Sequence, residues 1–205
     1  MSSKQYTAQL KQRIDSMPDG TPFIAKDFAD ITDAQTIRRL INLMIDQGEI
    51  SRIIPGVYYR PRVSSVLGVP VPPQADAVAR AIARSNGWII APGGETALNQ
   101  LGLSTQVPAA WTYLSDGPYR EYSYGNTRLK FKKTTGRNLK GMALTSTMVV
   151  QALKALGRER VTQEVIRQIA RRLNQAQKQE LAQQTMMATE WIRDAVTSIC
   201  AEGDE

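Results

Sequence analysis

Two short stretches gather the side chains best suited to reading a nucleic acid. Gln35, Thr36, Arg38, Arg39 and Asn42 fall close together, and Arg52, Arg60 and Arg62 follow soon after. A guanidinium fork matches guanine O6 and N7 or a phosphate, and a side-chain amide pairs with adenine. The rest of the chemical inventory is narrow. The chain has no histidine, and Cys200 is its single cysteine. That excludes an internal disulfide, a cysteine cluster for zinc, and every Ser-His or Cys-His nucleophile pair. Carboxylate or lysine chemistry remains. The acids Glu159, Glu164, Glu180, Glu190 and Asp194, however, lie at helical spacing among Arg and Lys and read as surface pairs. The sequence therefore leads us to expect no catalytic residue, no metal site, no cofactor and no enzyme activity.

A second set of cations lies further on. Arg120, Arg128, Lys130, Lys132, Lys133, Arg137 and Lys140 stand against one acid, Glu121, with Tyr119, Tyr122, Tyr124 and Phe131 interleaved. Basic and aromatic side chains on a strand surface bind single-stranded nucleic acid by stacking and phosphate contact. The same pattern also fits core aromatics behind a solvated lysine edge, or a face for an acidic protein. The stretch "APGGETALN" lacks the Gly-Lys-Ser/Thr that a phosphate loop needs, since Glu95 follows Gly93-Gly94. Gly94 reads as a tight turn before a short helix. Trp88, Trp111 and Trp191 read as core or interface anchors, and Cys200 as a small apolar residue.

The elements that position these groups follow from periodicity. Residues 4–17 place Tyr6, Leu10, Ile14 and Met17 on one helical face. A break at Pro18-Asp19-Gly20 leads to Phe23 and a short helix over 25–30, with Phe28 and Ile31 inward. Thr32 and Gln35 have capping-box spacing before a helix whose stripe is Ile37, Leu40, Ile41, Met44 and Ile45. Gly48 stands where a left-handed cap is expected. "EISRII" and "VYYR", joined at Pro55-Gly56, then read as a hairpin. Helices followed by a two-stranded hairpin is the order of a winged helix-turn-helix. Buried, the apolar stripe turns Gln35, Thr36, Arg38, Arg39 and Asn42 outward as major-groove readers. Arg52, Arg60 and Arg62 on and beyond the wing become phosphate or minor-groove contacts.

Pro70, Pro72 and Pro73 stiffen the connector that follows. The expected organisation is a winged helix over 1–62, a proline-rich linker over 63–74 and a mixed domain over 75–205. The class is α+β, with a small sheet and a helical C-terminal part. Strands are expected at 87–92, 109–116, 119–125 and 127–134, and helices at 75–85, 146–156, 162–173, 175–184 and 188–199.

In bulk, 205 residues carry a net charge of +7, which favours a polyanionic partner. No apolar run approaches a membrane span and the first residues are polar, so no membrane association and a cytoplasmic location are expected. A blander reading of the arginines stands beside the DNA reading. The first 66 residues hold nine Arg or Lys and seven Asp or Glu. On that view one of Arg38 and Arg39 flanks the core and pairs with Asp27 or Asp30, and the winged helix is a scaffold for protein docking.

The segment "GTPFIAKDFADI…TIRRLINLMIDQGEISRIIPGVYYRPR" resembles the winged-helix domain of AbiEi-like antitoxins, from type IV toxin–antitoxin systems. Gly20, Phe23, Asp27, Phe28, Arg39, Leu40, Gly48, Ile50, Arg52, Gly56, Val57 and Tyr58 carry the match. "NQLGLSTQVPAAWTYLSDGP", "LKFKKT", "VVQALKALGRERVTQEVI" and "ATEWIRDAV" are similar to the C-terminal region of a related bacterial branch. The resemblance implies autorepression through inverted repeats in double-stranded DNA, with two copies bound. It also implies a nucleotidyltransferase-like toxin as functional partner, countered without a stable complex, and links the C-terminal domain to antitoxicity. The DNA role carries over to Gln35, Thr36, Arg38, Arg39, Asn42 and Arg52, and no catalytic residue is implied.

Overall fold

The computed structural model describes residues 3–63, 68, 70–134, 139 and 141–202. The chain is α+β and divides into two compact units, residues 1–87 with 122–127 and residues 88–121 with 128–205.

The first unit opens with α1 (Ser3–Asp15), a 3-10 turn (Ala25–Phe28) and α2 (Ala34–Asp46). The hairpin β1 (Ser51–Ile54) and β2 (Val57–Tyr59) follows, with Arg52 opposite Tyr58. Phe23 bridges Tyr58 antiparallel, its N–H donating to the Tyr58 carbonyl at 2.8 Å and its carbonyl accepting at 2.9 Å. This is a winged helix-turn-helix. Of the stripe forecast for α2, Ile37, Leu40, Ile41 and Met44 are buried and pack with Leu10, Ile14 and Phe28, while Ile45 is half-buried at its margin. Each such side chain, fully buried, contributes roughly 1.5–3 kcal/mol.

The start of α2 differs from the expectation. Asp33, not Thr32, is the cap. Its backbone is extended, and its carboxylate accepts from the N–H groups of Gln35 at 3.0 Å and Thr36 at 2.9 Å. Thr32 lies one residue too early for that reach. The far end behaves as forecast. Gly48 has φ +75°, its N–H donates to Ile45, and the Glu49 N–H donates to Met44. A side chain would be strained in that backbone region.

The proline-rich stretch contributes a short antiparallel pair, β3 (Arg62–Val63) and β4 (Pro70–Val71). α3 (Ala75–Asn86), grouped by sequence with the second part, lies in the first unit. Lys26 Nζ donates to the Ser85 carbonyl at 2.7 Å, and Arg84 pairs with Asp27 at 3.0 Å. The Tyr124 hydroxyl donates to the Pro73 carbonyl at 3.1 Å.

The second unit contains β5 (Ile90–Pro92), α4 (Glu95–Gln100), β6 (Trp111–Ser115), β7 (Arg120–Tyr124) and β8 (Thr127–Lys133), the tip of the β7–β8 hairpin being counted with the first unit. These strands form one sheet in the order β5-β6-β8-β7. β6 runs parallel to β8, and Tyr113 stacks on Phe131 at 5.8 Å. Trp88 meets Phe131 edge-on at 5.6 Å. Gly117 lies so close that a Cβ there would sit 2.4 Å from the Trp88 ring. The helices α5 (Leu144–Leu156), α6 (Gln163–Ala170), α7 (Gln175–Gln184) and α8 (Glu190–Ala201) close around Leu153, Ile169, Leu181 and Ile199, with α4 against them. Among the described residues no helix is long and apolar enough to cross a membrane.

Candidate nucleic-acid interface

Because α2 buries its apolar stripe, its opposite face is set by geometry. Gln35, Arg38, Arg39 and Asn42 are exposed on it. Arg38 has no hydrogen bond or ion pair among the described residues. Thr36 is half-buried, and its hydroxyl donates to Asp33 at 2.7 Å. These bonds hold the Asp33 carboxyl below the usual carboxylate range, the Thr36 hydroxyl most strongly. Leu43 is 43% exposed on the same helix. The sequence reading passed over it, although its place outside the 37/40/41/44 stripe is the signal that would have found it.

The three wing-side arginines differ. Arg52 is exposed; its Nη2 donates to Asn42 Oδ1 at 3.1 Å, and its Cζ lies 5.7 Å from the centre of the Tyr58 ring. Wing and helix thus meet through two of the expected contact residues. Arg60 is engaged within the fold. It reaches Asp15 at 2.9 Å, Asp19 at 2.5 Å and the Met17 carbonyl at 3.1 Å. Arg62 is exposed beside a recess of about 280 Å3 shared with Asp19 and Pro72. Arg38 pairs with neither acid expected for it. Asp27 pairs with Arg84 at 3.0 Å and Asp30 with Arg13 at 2.6 Å.

The second basic cluster separates by face. Arg120, Arg128, Lys132 and Lys133 are exposed, and Lys130 pairs with Glu121 at 3.2 Å. Arg137 and Lys140 lie outside the described residues. Tyr124 and Phe131 are buried, and the exposed Tyr119 donates its hydroxyl to Glu121. That bond, then Lys130, holds the Glu121 carboxyl low. Strand alternation puts Phe131 on the packed side and Lys132 on the other, so Tyr124 and Phe131 give no stacking platform. Lys132 instead lines a cleft of about 580 Å3 with Glu95, Leu114, Gln151 and Lys154. Among the described residues no three His, Cys, Asp or Glu side chains converge as a metal-binding group.

Residues 9–181 match the Family of unknown function (DUF6088). The chain belongs to DUF6088. The DUF6088 span begins inside α1 and ends inside α7, so it takes in α2, the wing and the cationic strand β8. No curated protein matches the chain.

Proposed function

We propose that the chain is a sequence-specific DNA-binding transcriptional regulator that represses its own operon, as the antitoxin of a type IV pair. One observation carries the reading. The outward face of α2 presents Gln35, Arg38, Arg39 and Asn42, and Arg52 of the wing bonds to that face. An exposed helix face of amides and guanidinium groups beside a wing suits a major groove. On an inverted repeat two copies bind, one to each half-site. A nucleotidyltransferase-like toxin is the functional partner, and the protein acts in the cytoplasm without catalysis.

The test is fluorescence anisotropy on the chain's own promoter at two salt concentrations, with wild type, Arg38→Ala and Arg39→Ala. Phosphate contacts make the affinity fall steeply with salt. Promoter binding that neither substitution changes removes α2 as the reading element. A nucleotidyltransferase-like reading frame beside the gene supports the antitoxin role, and a solitary gene favours a plain regulator.

A second reading draws on the cleft that Lys132 and Lys154 line, since neither lysine has a hydrogen bond or ion pair among the described residues. There the protein is an interaction module that docks an acidic partner. Promoter-specific binding lost on Arg38→Ala speaks against this as the whole account.

A further inference from the structure

The contact between Arg52 and Asn42 constrains which base the amide can read. Arginine carries donors and no acceptor. The Asn42 atom that faces Arg52 Nη2 at 3.1 Å is therefore the carbonyl Oδ1, and turning the amide over would break the bond. Arg52 is itself held. It lies over the ring of Tyr58, which is 8% exposed and stands opposite it in the hairpin. Asn42 Nδ2 has no partner among the described residues, and the side chain is exposed.

A free asparagine pairs with adenine through both halves of its amide, accepting from N6 and donating to N7. Here the accepting half is turned to the wing. What remains outward is mainly donors: Nδ2 of Asn42 and the other N–H groups of Arg52, against one lone pair left on Oδ1. In the major groove guanine offers two acceptors, N7 and O6. Adenine sets a donor beside its N7, thymine has one acceptor beside a methyl, and cytosine presents a donor. We propose that Arg52 and Asn42 act as one donor-rich unit that selects guanine over adenine, Arg52 both orienting the amide and donating to the base. This rests on the DNA reading above. It also reverses the adenine preference that an isolated asparagine would suggest.

The experiment uses the full chain and the promoter fragment it protects. Each guanine in the protected site is changed in turn, once to 7-deazaguanine and once by a G·C to A·T exchange. Affinities are measured for wild type, Arg52→Met and Asn42→Ala. At one guanine in each half-site, the exchange should weaken wild type by roughly 5- to 150-fold. Both variants should lose most of that discrimination there and keep the preferences elsewhere. Asn42→Ala changes an exposed helix position, so it reports even where Arg52→Met folds poorly. An equal loss on every sequence in Arg52→Met makes Arg52 a phosphate contact and overturns the proposal, as does a preference for adenine at the position Asn42 governs. Sequence-specific binding with no such guanine sinks this inference alone. Failure to retain any promoter sequence sinks the DNA reading with it.

Discussion

The ammonium of Lys178, 1% exposed, donates to the backbone carbonyl of Glu202 at 2.9 Å. It closes the C-terminal end of α8, where carbonyls lack helical partners and a cation is favoured. The Glu202 carboxylate accepts from Gln163 Nε2 at 3.2 Å and lies 3.8 Å from Arg167 Nε. The end of α8 is thereby tied to α6 and α7. Lys178→Ala removes a charged hydrogen bond and buried methylenes and should cost about 2–3 kcal/mol, read by urea unfolding. Glu202→Gln keeps the carbonyl that Lys178 uses and should cost much less. An equal loss in the two would place the stability in the Glu202 carboxylate instead.

Cys200 sits beside the same lysine, its Sγ 3.3 Å from the Lys178 carbonyl oxygen. Burial pushes the thiol up, and the Lys178 charge opposes this to a smaller extent. The reactive species is the thiolate, so the folded chain should label slowly with a disulfide reagent at neutral pH. Labelling should speed up sharply once urea unfolds the protein. Fast labelling in the native state would contradict this placement.

Arg38 and Arg60 should fail differently when changed to alanine. Arg38 is exposed with no bond among the described residues, and Arg60 joins Asp15, Asp19 and the Met17 carbonyl. Loss of a phosphate contact lowers the salt slope of DNA binding by about 1. Arg38→Ala should weaken promoter binding at unchanged stability. Arg60→Ala should cost about 1 kcal/mol of stability and leave the salt slope as it was. Anisotropy at several salt concentrations together with a thermal melt separates the two.

Local patterns carried most of the winged helix. The stripe at Ile37, Leu40, Ile41 and Met44, the stop at Gly48 and the turn at Pro55-Gly56 depend on neighbours in sequence. What local pattern missed depends on distant partners. Arg60 looks like any wing arginine until Asp15 and Met17, more than forty residues earlier, are seen around it. α3 joins the first unit through Lys26 and Asp27, more than fifty residues from Ser85 and Arg84. Lys178 stands in the polar run "QAQKQELAQQ", yet it is buried and bonds to Glu202, a partner twenty-four residues away. Phe131 and Lys132 were legible as opposite faces of a strand, but which face packs was not.

The cap of α2 ties the fold of the candidate interface to pH. The Asp33 carboxyl titrates lower in the folded chain than its ordinary value. A lowered folded value means that its contribution is complete above the unfolded value and is lost as pH falls through the folded one. The first turn of α2 should therefore loosen only in acid, below the usual aspartate range. Asp33→Ala should remove that part of the acid transition and lower the melting temperature at neutral pH. Asp33→Asn should largely restore the melting temperature, since an amide oxygen still caps, yet should lack the acid dependence. Hydrogen exchange at the amides of Gln35 and Thr36, which donate to Asp33, reads the effect at its source.

Lys132 and Lys154 line one cleft from two different elements, β8 and α5. Neither has a hydrogen bond or ion pair among the described residues, and both are exposed. Exposed cations of this kind contribute little to folding, so replacing both with glutamine should leave the melting temperature nearly unchanged. The double variant therefore isolates binding from stability. If the cleft receives acidic side chains, wild type should bind an oligo-glutamate peptide more tightly than an oligo-glutamine one at physiological salt. The Lys132→Gln, Lys154→Gln variant should lose that difference and keep full affinity for the promoter. Equal binding of the two peptides by wild type would reject the acidic-partner reading of the cleft. Loss of promoter affinity in the double variant would instead place these lysines in the DNA contact and extend the interface beyond α2 and the wing.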